Sequence, residues 1–142
     1  INYIKYKYDK KDRMVEAEYY RPTVDTLLGK WVIGNNREGQ YIKIEFFNYK
    51  NAFRNRNEIT RREDGRVIER KYYNKSDSMI VKEVLTYNND NLFASQEIFS
   101  RGKSSGKYTM DYTFESKGNW ETALVKRNGK PYLLVERSYM YY

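Results

Sequence analysis

Cysteine and histidine are both absent from the 142 residues. Their absence excludes thiol nucleophiles, disulfides, zinc sites built on Cys or His, and imidazole acid–base chemistry. No apolar run approaches the roughly 18 residues that a membrane-spanning helix needs. No signal peptide is legible, and Ile1 is not a natural start, so the chain reads as a mature or trimmed fragment whose targeting segment is out of view. Helical periodicity is nearly absent too. The one candidate helical turn is Thr23 to Leu28, where Val24, Leu27 and Leu28 fall three and four apart, and it is too short to stand alone.

The residues present describe one domain with a modest core. Apolar residues make up 39% of the chain, a share that includes sixteen tyrosines. A tyrosine ring covers apolar area while its hydroxyl tolerates water, so a sheet rich in Tyr can be half wet on both faces. The expectation is a thin, broad structure. Basic residues outnumber acidic ones 27 to 19, for a net charge of +8, which favours anionic partners. These charges are interspersed along the chain, as they are on a solvated face.

Turn-forming residues divide the sequence at even intervals. One series runs through Asp12, Gly39, Gly65, Asn91 and Gly118, spaced 27, 26, 26 and 27 residues apart. A second lies halfway between: around Val24, in Asn48-Tyr49-Lys50-Asn51, in Asn74-Lys75-Ser76-Asp77, from Gly102 to Gly106, and at Asn128-Gly129. Asn, Asp and Gly mark turns because they tolerate positive φ or bond their own backbone. Between turns the period is two. Tyr108, Met110, Tyr112 and Phe114 alternate with Thr109, Asp111, Thr113 and Glu115; Ile42, Ile44 and Phe46 alternate with Tyr41, Lys43 and Glu45. Such alternation is that of half-buried strands. Met79 to Tyr87 carries apolar residues on both faces and reads as a central strand covered on two sides. The expected fold is all-β: an antiparallel up-and-down meander of about ten strands, built from hairpin repeats of about 26 residues. An open, curled sheet and a closed barrel are the two forms it can take. Trp31, Ile44, Phe46, Tyr112, Trp120 and Leu124 are the expected core.

Two family resemblances attach to particular residues. The stretch Tyr112-Thr-Phe-Glu-Ser-Lys-Gly118-Asn119-Trp120, continued by Val125 to Pro131 and Glu136 to Tyr142, resembles the YD-type, Rhs-related hairpin repeats of Bacteroidetes-type envelope proteins. Tyr6-Lys-Tyr8-Asp9 with Glu16 to Tyr20, and Asp64 to Glu69 with Tyr72-Tyr73, are similar to the same unit. That resemblance implies an open hairpin sheet and a place in the periplasm or at the outer membrane or cell surface, the envelope of a lipoprotein included. Leu28-Gly29-Lys30-Trp31 is similar to the Gly-x-Trp that opens lipocalin-like barrels, with Thr109 to Tyr112 as an echo of a second motif. It implies a closed barrel with a small apolar ligand, and Arg137 as the late basic residue over the Trp.

Candidate chemistry is sparse. Asp111, Glu115 and Glu121 could share a surface, but two catalytic carboxyls need a cleft and a fixed separation, and no spacing here demands one. Gly102-Lys103-Ser104-Ser105-Gly106 lacks the spacing and the following helix of a phosphate loop, and reads as a flexible hairpin loop. Asn74-Lys75-Ser76 is a glycosylation sequon. The densest feature is a run of arginines, Arg54, Arg56, Arg61, Arg62, Arg66 and Arg70, six in seventeen residues, with Phe53, Tyr72 and Tyr73 nearby. Basic strands with aromatics can hold a polyanion, single-stranded nucleic acid included, and arginine suits bidentate contact with carboxylate, sulfate or phosphate. Glu58, Glu63, Asp64 and Glu69 lie inside the same run and can pair with it across strands. These six arginines are the candidate anion-binding site. No catalytic, metal or cofactor residues are expected. The expected function is a non-enzymatic, envelope-associated binding or scaffold protein with a Tyr/Arg-rich sheet surface, its partner an anionic polymer or another envelope protein. A carrier of a small apolar ligand and a nucleic-acid binder are the alternatives.

Overall fold

The computed structural model describes residues 2–22 and 26–140. Eleven strands follow one another: β1 (Tyr3–Tyr8), β2 (Met14–Arg21), β3 (Thr26–Asn35), β4 (Tyr41–Asn48), β5 (Phe53–Arg61), β6 (Val67–Tyr73), β7 (Met79–Tyr87), β8 (Phe93–Ser100), β9 (Lys103–Phe114), β10 (Trp120–Arg127) and β11 (Lys130–Glu136). Their order in the sheet is their order in the chain. The fold is thus the expected all-β, antiparallel up-and-down meander, with no helix among the described residues. β1 and β11 stand at opposite ends of that order and the sheet is not closed into a barrel, so of the two expected forms it is the open one.

The turns explain why the chain folds this way. In seven of them the same two bonds recur: the first residue's N–H donates to the carbonyl four residues on, and its own carbonyl accepts the N–H three residues on. The fourth residue has positive φ and is Asp12, Gly39, Asn51, Gly65, Asp77, Asn91 or Gly118. This is a type I turn closed by a left-handed residue and a bulge, one of the common hairpin connections. The first residue supplies a further clamp. Asn48 Oδ1 accepts the N–H groups of Lys50 and Ala52, and Asn74 Oδ1 those of Ser76 and Ser78. At Arg62, which has no such oxygen, Asp64 Oδ1 takes the Arg66 N–H instead. The two remaining turns among the described residues are tight, with positive φ at Arg101 and Gly102 and at Asn128 and Gly129.

Three expectations are corrected. Leu27 and Leu28 lie in β3 rather than in a helical turn; Tyr20 pairs with Leu27 and Arg21 with Thr26. A single helical turn cannot compete with ladder hydrogen bonds. The remainder of that turn, and the turn around Val24, lie outside the described residues. Gly102 to Gly106 is not a flexible loop, because the chain reverses at Arg101-Gly102 and Lys103 to Gly106 belong to β9. β7 is interior in the strand order but is not covered on both sides: Leu85 is buried, whereas Met79 and Ile80 are exposed.

The chain divides into two compact units, Ile1–Lys82 and Glu83–Tyr142. In the first, register places Ala17, Trp31 and Phe46 side by side on one face. Tyr19 meets Trp31 edge-on with ring centroids 4.1 Å apart, and Phe46 follows at 5.8 Å. In the second, Ala123 lies between Tyr112 and Val135, and Val125 between Met110 and Leu133. Among the described residues the buried apolar side chains are only Ala17, Leu85, Ala123 and Val125. The six residues expected to be core are half-buried instead. Packing within one sheet covers the flanks of a ring and leaves its outer surface to solvent.

Candidate functional site

Register decides what becomes of the six arginines. Arg56 pairs with Tyr73 and Ile59 with Arg70, so Arg56 and Arg70 project from opposite faces. Arg56 lies over the Tyr73 ring at 4.2 Å, with Glu58 and Asp77 each 3.1 Å from its guanidinium. Arg54 is exposed and Arg70 half-buried. The three at the β5–β6 turn do come together. Arg62 and Arg66 both bind the Asp64 carboxylate. Arg61 donates to the Gly65 carbonyl at 2.8 Å and stands over the Tyr41 ring. Hydrogen bonds from Arg62 and Arg66 hold the Asp64 carboxyl well below its ordinary pKa. The groove beside them is lined by Glu38, Glu63 and Asp64 as well as by Arg61 and Arg62, so its charges nearly cancel. The arginines therefore form a turn clamp and a stacked strand residue rather than one continuous surface.

The same bookkeeping extends over the charged face of the first unit. Lys7 reaches Glu16 at 2.5 Å and Glu18 at 3.0 Å, and Lys30 lies 3.7 Å from Glu16. Further along, Lys43 pairs with Glu45, while Glu69 receives both Lys71 and Lys82. The Glu69 carboxyl is lowered by its bond to Lys71 first and Lys82 second, and the Lys7 ammonium is raised by its bond to Glu16. Each of these acids stands beside a base, directly across a strand pair as in Lys7–Glu16 or two residues along its own strand as in Lys43–Glu45, so these pairs leave little net field.

Asp111, Glu115 and Glu121 are not brought into one cleft. Asp111 is ion-paired with Lys126. Glu115 clamps its own turn, accepting the Asn119 side-chain N–H at 2.9 Å. Glu121 is exposed beside Trp120. No group of three or more acidic side chains that could hold a metal occurs among the described residues. Arg137 does stand over a tryptophan, at 4.2 Å, but the ring is Trp120 and not the Trp31 of Gly29-Lys30-Trp31.

A second basic group escapes a linear reading. Arg101, Lys103, Lys107, Arg127 and Lys130 are all exposed and cluster at the two tight turns of the second unit. Spread over thirty residues of sequence, they look like ordinary interspersed charge. The signal that finds them is the repeat itself, since Gly102 and Gly129 lie 27 residues apart, one full repeat.

These features define a class, the open up-and-down β-meander with hairpin-repeat periodicity. No protein-family model matches this chain, and no curated protein matches it.

Proposed function

We propose that this chain is a non-enzymatic binding or scaffold module that works through the exposed surface of its sheet. The observation that carries this is the small number of buried apolar side chains, four among the described residues, in a meander that does not close. Such a chain places nearly all its side chains within reach of a partner. Within each unit, hydrogen-bonded ladders and clamped turns hold the strands in fixed register, which lowers the entropic cost of binding. The described faces are rich in tyrosine and arginine, residue types that are favoured at binding surfaces. Placement at a bacterial envelope, as a periplasmic or surface protein, is supported by the resemblance of its hairpins to YD-type repeats.

The contrasting class is a carrier with an internal apolar site. Titration with a fluorescent fatty acid separates the two. A surface module gives no saturable uptake, and Trp31 fluorescence stays open to acrylamide quenching throughout. Uptake of one equivalent with submicromolar affinity, protecting Trp31 from the quencher, would replace this reading with the carrier.

A further inference from the structure

We infer that the two tight turns of the second unit form a docking site for a linear sulfated polysaccharide, centred on Arg101, Lys103, Lys107, Arg127 and Lys130. The inference rests on the surface-binding function above and names its partner and place.

The site is built by an overhang. β9 pairs with β8 from Lys103 to Thr109 but with β10 only from Tyr108 to Phe114, so Lys103 to Lys107 extend past the end of β10. At a rise of about 3.3 Å per residue, that overhang is roughly 13 Å long. The β10–β11 turn is fastened at its base: the Asn128 N–H donates to the Lys107 carbonyl at 2.7 Å, and the Lys107 N–H to Asn128 Oδ1 at 2.8 Å. These bonds fix Arg127 and Lys130, which face each other across the turn, against the foot of the overhang. By register Lys103, opposite Ser100, shares one face with Arg127 and Lys130, while Lys107, opposite Glu97, projects from the other, so cations stand on both faces of the step.

Charge distinguishes this step from the arginine run. The side chains of Arg101, Lys103, Lys107 and Lys130 have no ion-pair or hydrogen-bond partner among the described residues, and Arg127 has only the Tyr108 ring, 5.7 Å away. The acid nearest in register is Glu97, opposite Lys107. Five cations against one carboxylate leave a local excess that the Asp64 cluster lacks. A partner here loses no existing ion pair, whereas one at Arg62 or Arg66 must displace Asp64.

The chemistry favours a polyanion recognised by charge density over one recognised by its bases. Three of the five cations are lysines, compact point charges without the bidentate fork of arginine. Base stacking needs an open ring face. Tyr108 is covered by Arg127 and meets Tyr132, 5.9 Å away between centroids, at 71° rather than in parallel, so the exposed Tyr132 is a single ring and the pair is no stacked platform. Exposed Ser104 adds a hydroxyl donor between the cations, whereas the Ser105 hydroxyl already donates to the Ile98 carbonyl at 3.1 Å. Closely spaced sulfates along a stiff chain match cations distributed along a step of this length.

The test is binding of the full chain to immobilised heparin and, separately, to single-stranded DNA across 50–300 mM salt. The triple variant Arg101→Asn, Lys103→Thr, Lys130→Thr keeps turn and strand preferences, and Arg62→Gln/Arg66→Gln serves as the control. Far-UV circular dichroism establishes that both remain folded. The wild type should bind heparin more tightly than DNA, with affinity falling steeply as salt rises. The triple variant should lose about tenfold or more in affinity, with the salt slope reduced by about one per cation removed. The control should stay within about twofold of wild type, an allowance for the general field of a basic chain. Loss in the control with retention in the triple variant would overturn the site while leaving a surface-binding protein. Tighter binding to DNA would overturn the partner. No retention on heparin at 50 mM salt would overturn the inference outright, and the fatty-acid titration then decides separately whether the surface-binding function survives.

Discussion

Trp120 lies at the start of β10, half-buried, with two ring contacts that a truncation to alanine removes together. Tyr112 meets it edge-on at 5.8 Å and the Arg137 guanidinium covers it at 4.2 Å, while its backbone carbonyl, which the substitution keeps, accepts the Tyr139 hydroxyl at 3.1 Å. A fully buried Trp→Ala change costs about 3–5 kcal/mol. Part of the ring is already in water, which brings the burial part of the loss to about 2 kcal/mol on the same scale. The edge-on tyrosine adds about 0.5–1.5 kcal/mol, and the exposed cation–π contact about 0.5–1 kcal/mol. These parts overlap, because the same ring atoms make them, so Trp120→Ala should cost about 2–3 kcal/mol. Urea denaturation followed by far-UV circular dichroism measures it. Pairing this variant with Arg137→Ala in a double-mutant cycle isolates the guanidinium's share, with an expected coupling of about 0.5–1 kcal/mol. A cost below about 1 kcal/mol, within the range of surface substitutions and weak contacts, would refute the packing argument. A coupling of zero would show that Arg137 passes over the ring without binding it.

Gly29 tests how closely β3 and β4 approach. A Cβ there would lie 2.8 Å from the Phe47 carbonyl oxygen and 3.0 Å from the Phe46 ring, and the carbonyl cannot retreat without breaking the ladder. Gly29→Ala should destabilise by about 1–3 kcal/mol in urea melts despite the gain in strand propensity, and a neutral or stabilising result would contradict this geometry. The carboxylates set the acid limit. Asp9 is lowered to about 2 by its bond to Arg13, and Asp64, Glu18 and Glu69 are lowered by Arg62, Lys7 and Lys71. A depressed folded pKa means stability that is fully present above the unfolded value and lost as pH falls toward the folded one. The urea midpoint should therefore hold from neutrality to about pH 5 and fall between about pH 4 and 2. Asp64→Asn should flatten part of that fall. A midpoint that rises through the same window would reverse the sign and sink the argument.

Local chemistry was enough to place the turns. Asp12, Gly39, Gly65, Asn91 and Gly118 were legible because a left-handed backbone position restricts residue type whatever surrounds it, and all five adopt positive φ. Alternation likewise marked the strands, and hairpin after hairpin of similar length implied the meander. Which residues share a surface was not legible. A bulge accompanies the turn of each described hairpin pairing, as between Thr60 and Arg61 or Val125 and Lys126, and it shifts the two-residue count from one strand to the next. Arg56 and Arg70, members of one run in a linear reading, thus fall on opposite faces, while Arg101 and Lys130 arrive at neighbouring turns. Burial escaped the sequence for a related reason. Trp31, Phe46 and Trp120 have the composition of a core, but a core needs a second surface to close over it. An open meander packs each ring only against its neighbours in the sheet. Side-chain type is a property of the residue, whereas burial and net field belong to the register and to what faces the sheet, and only the tertiary structure sets those.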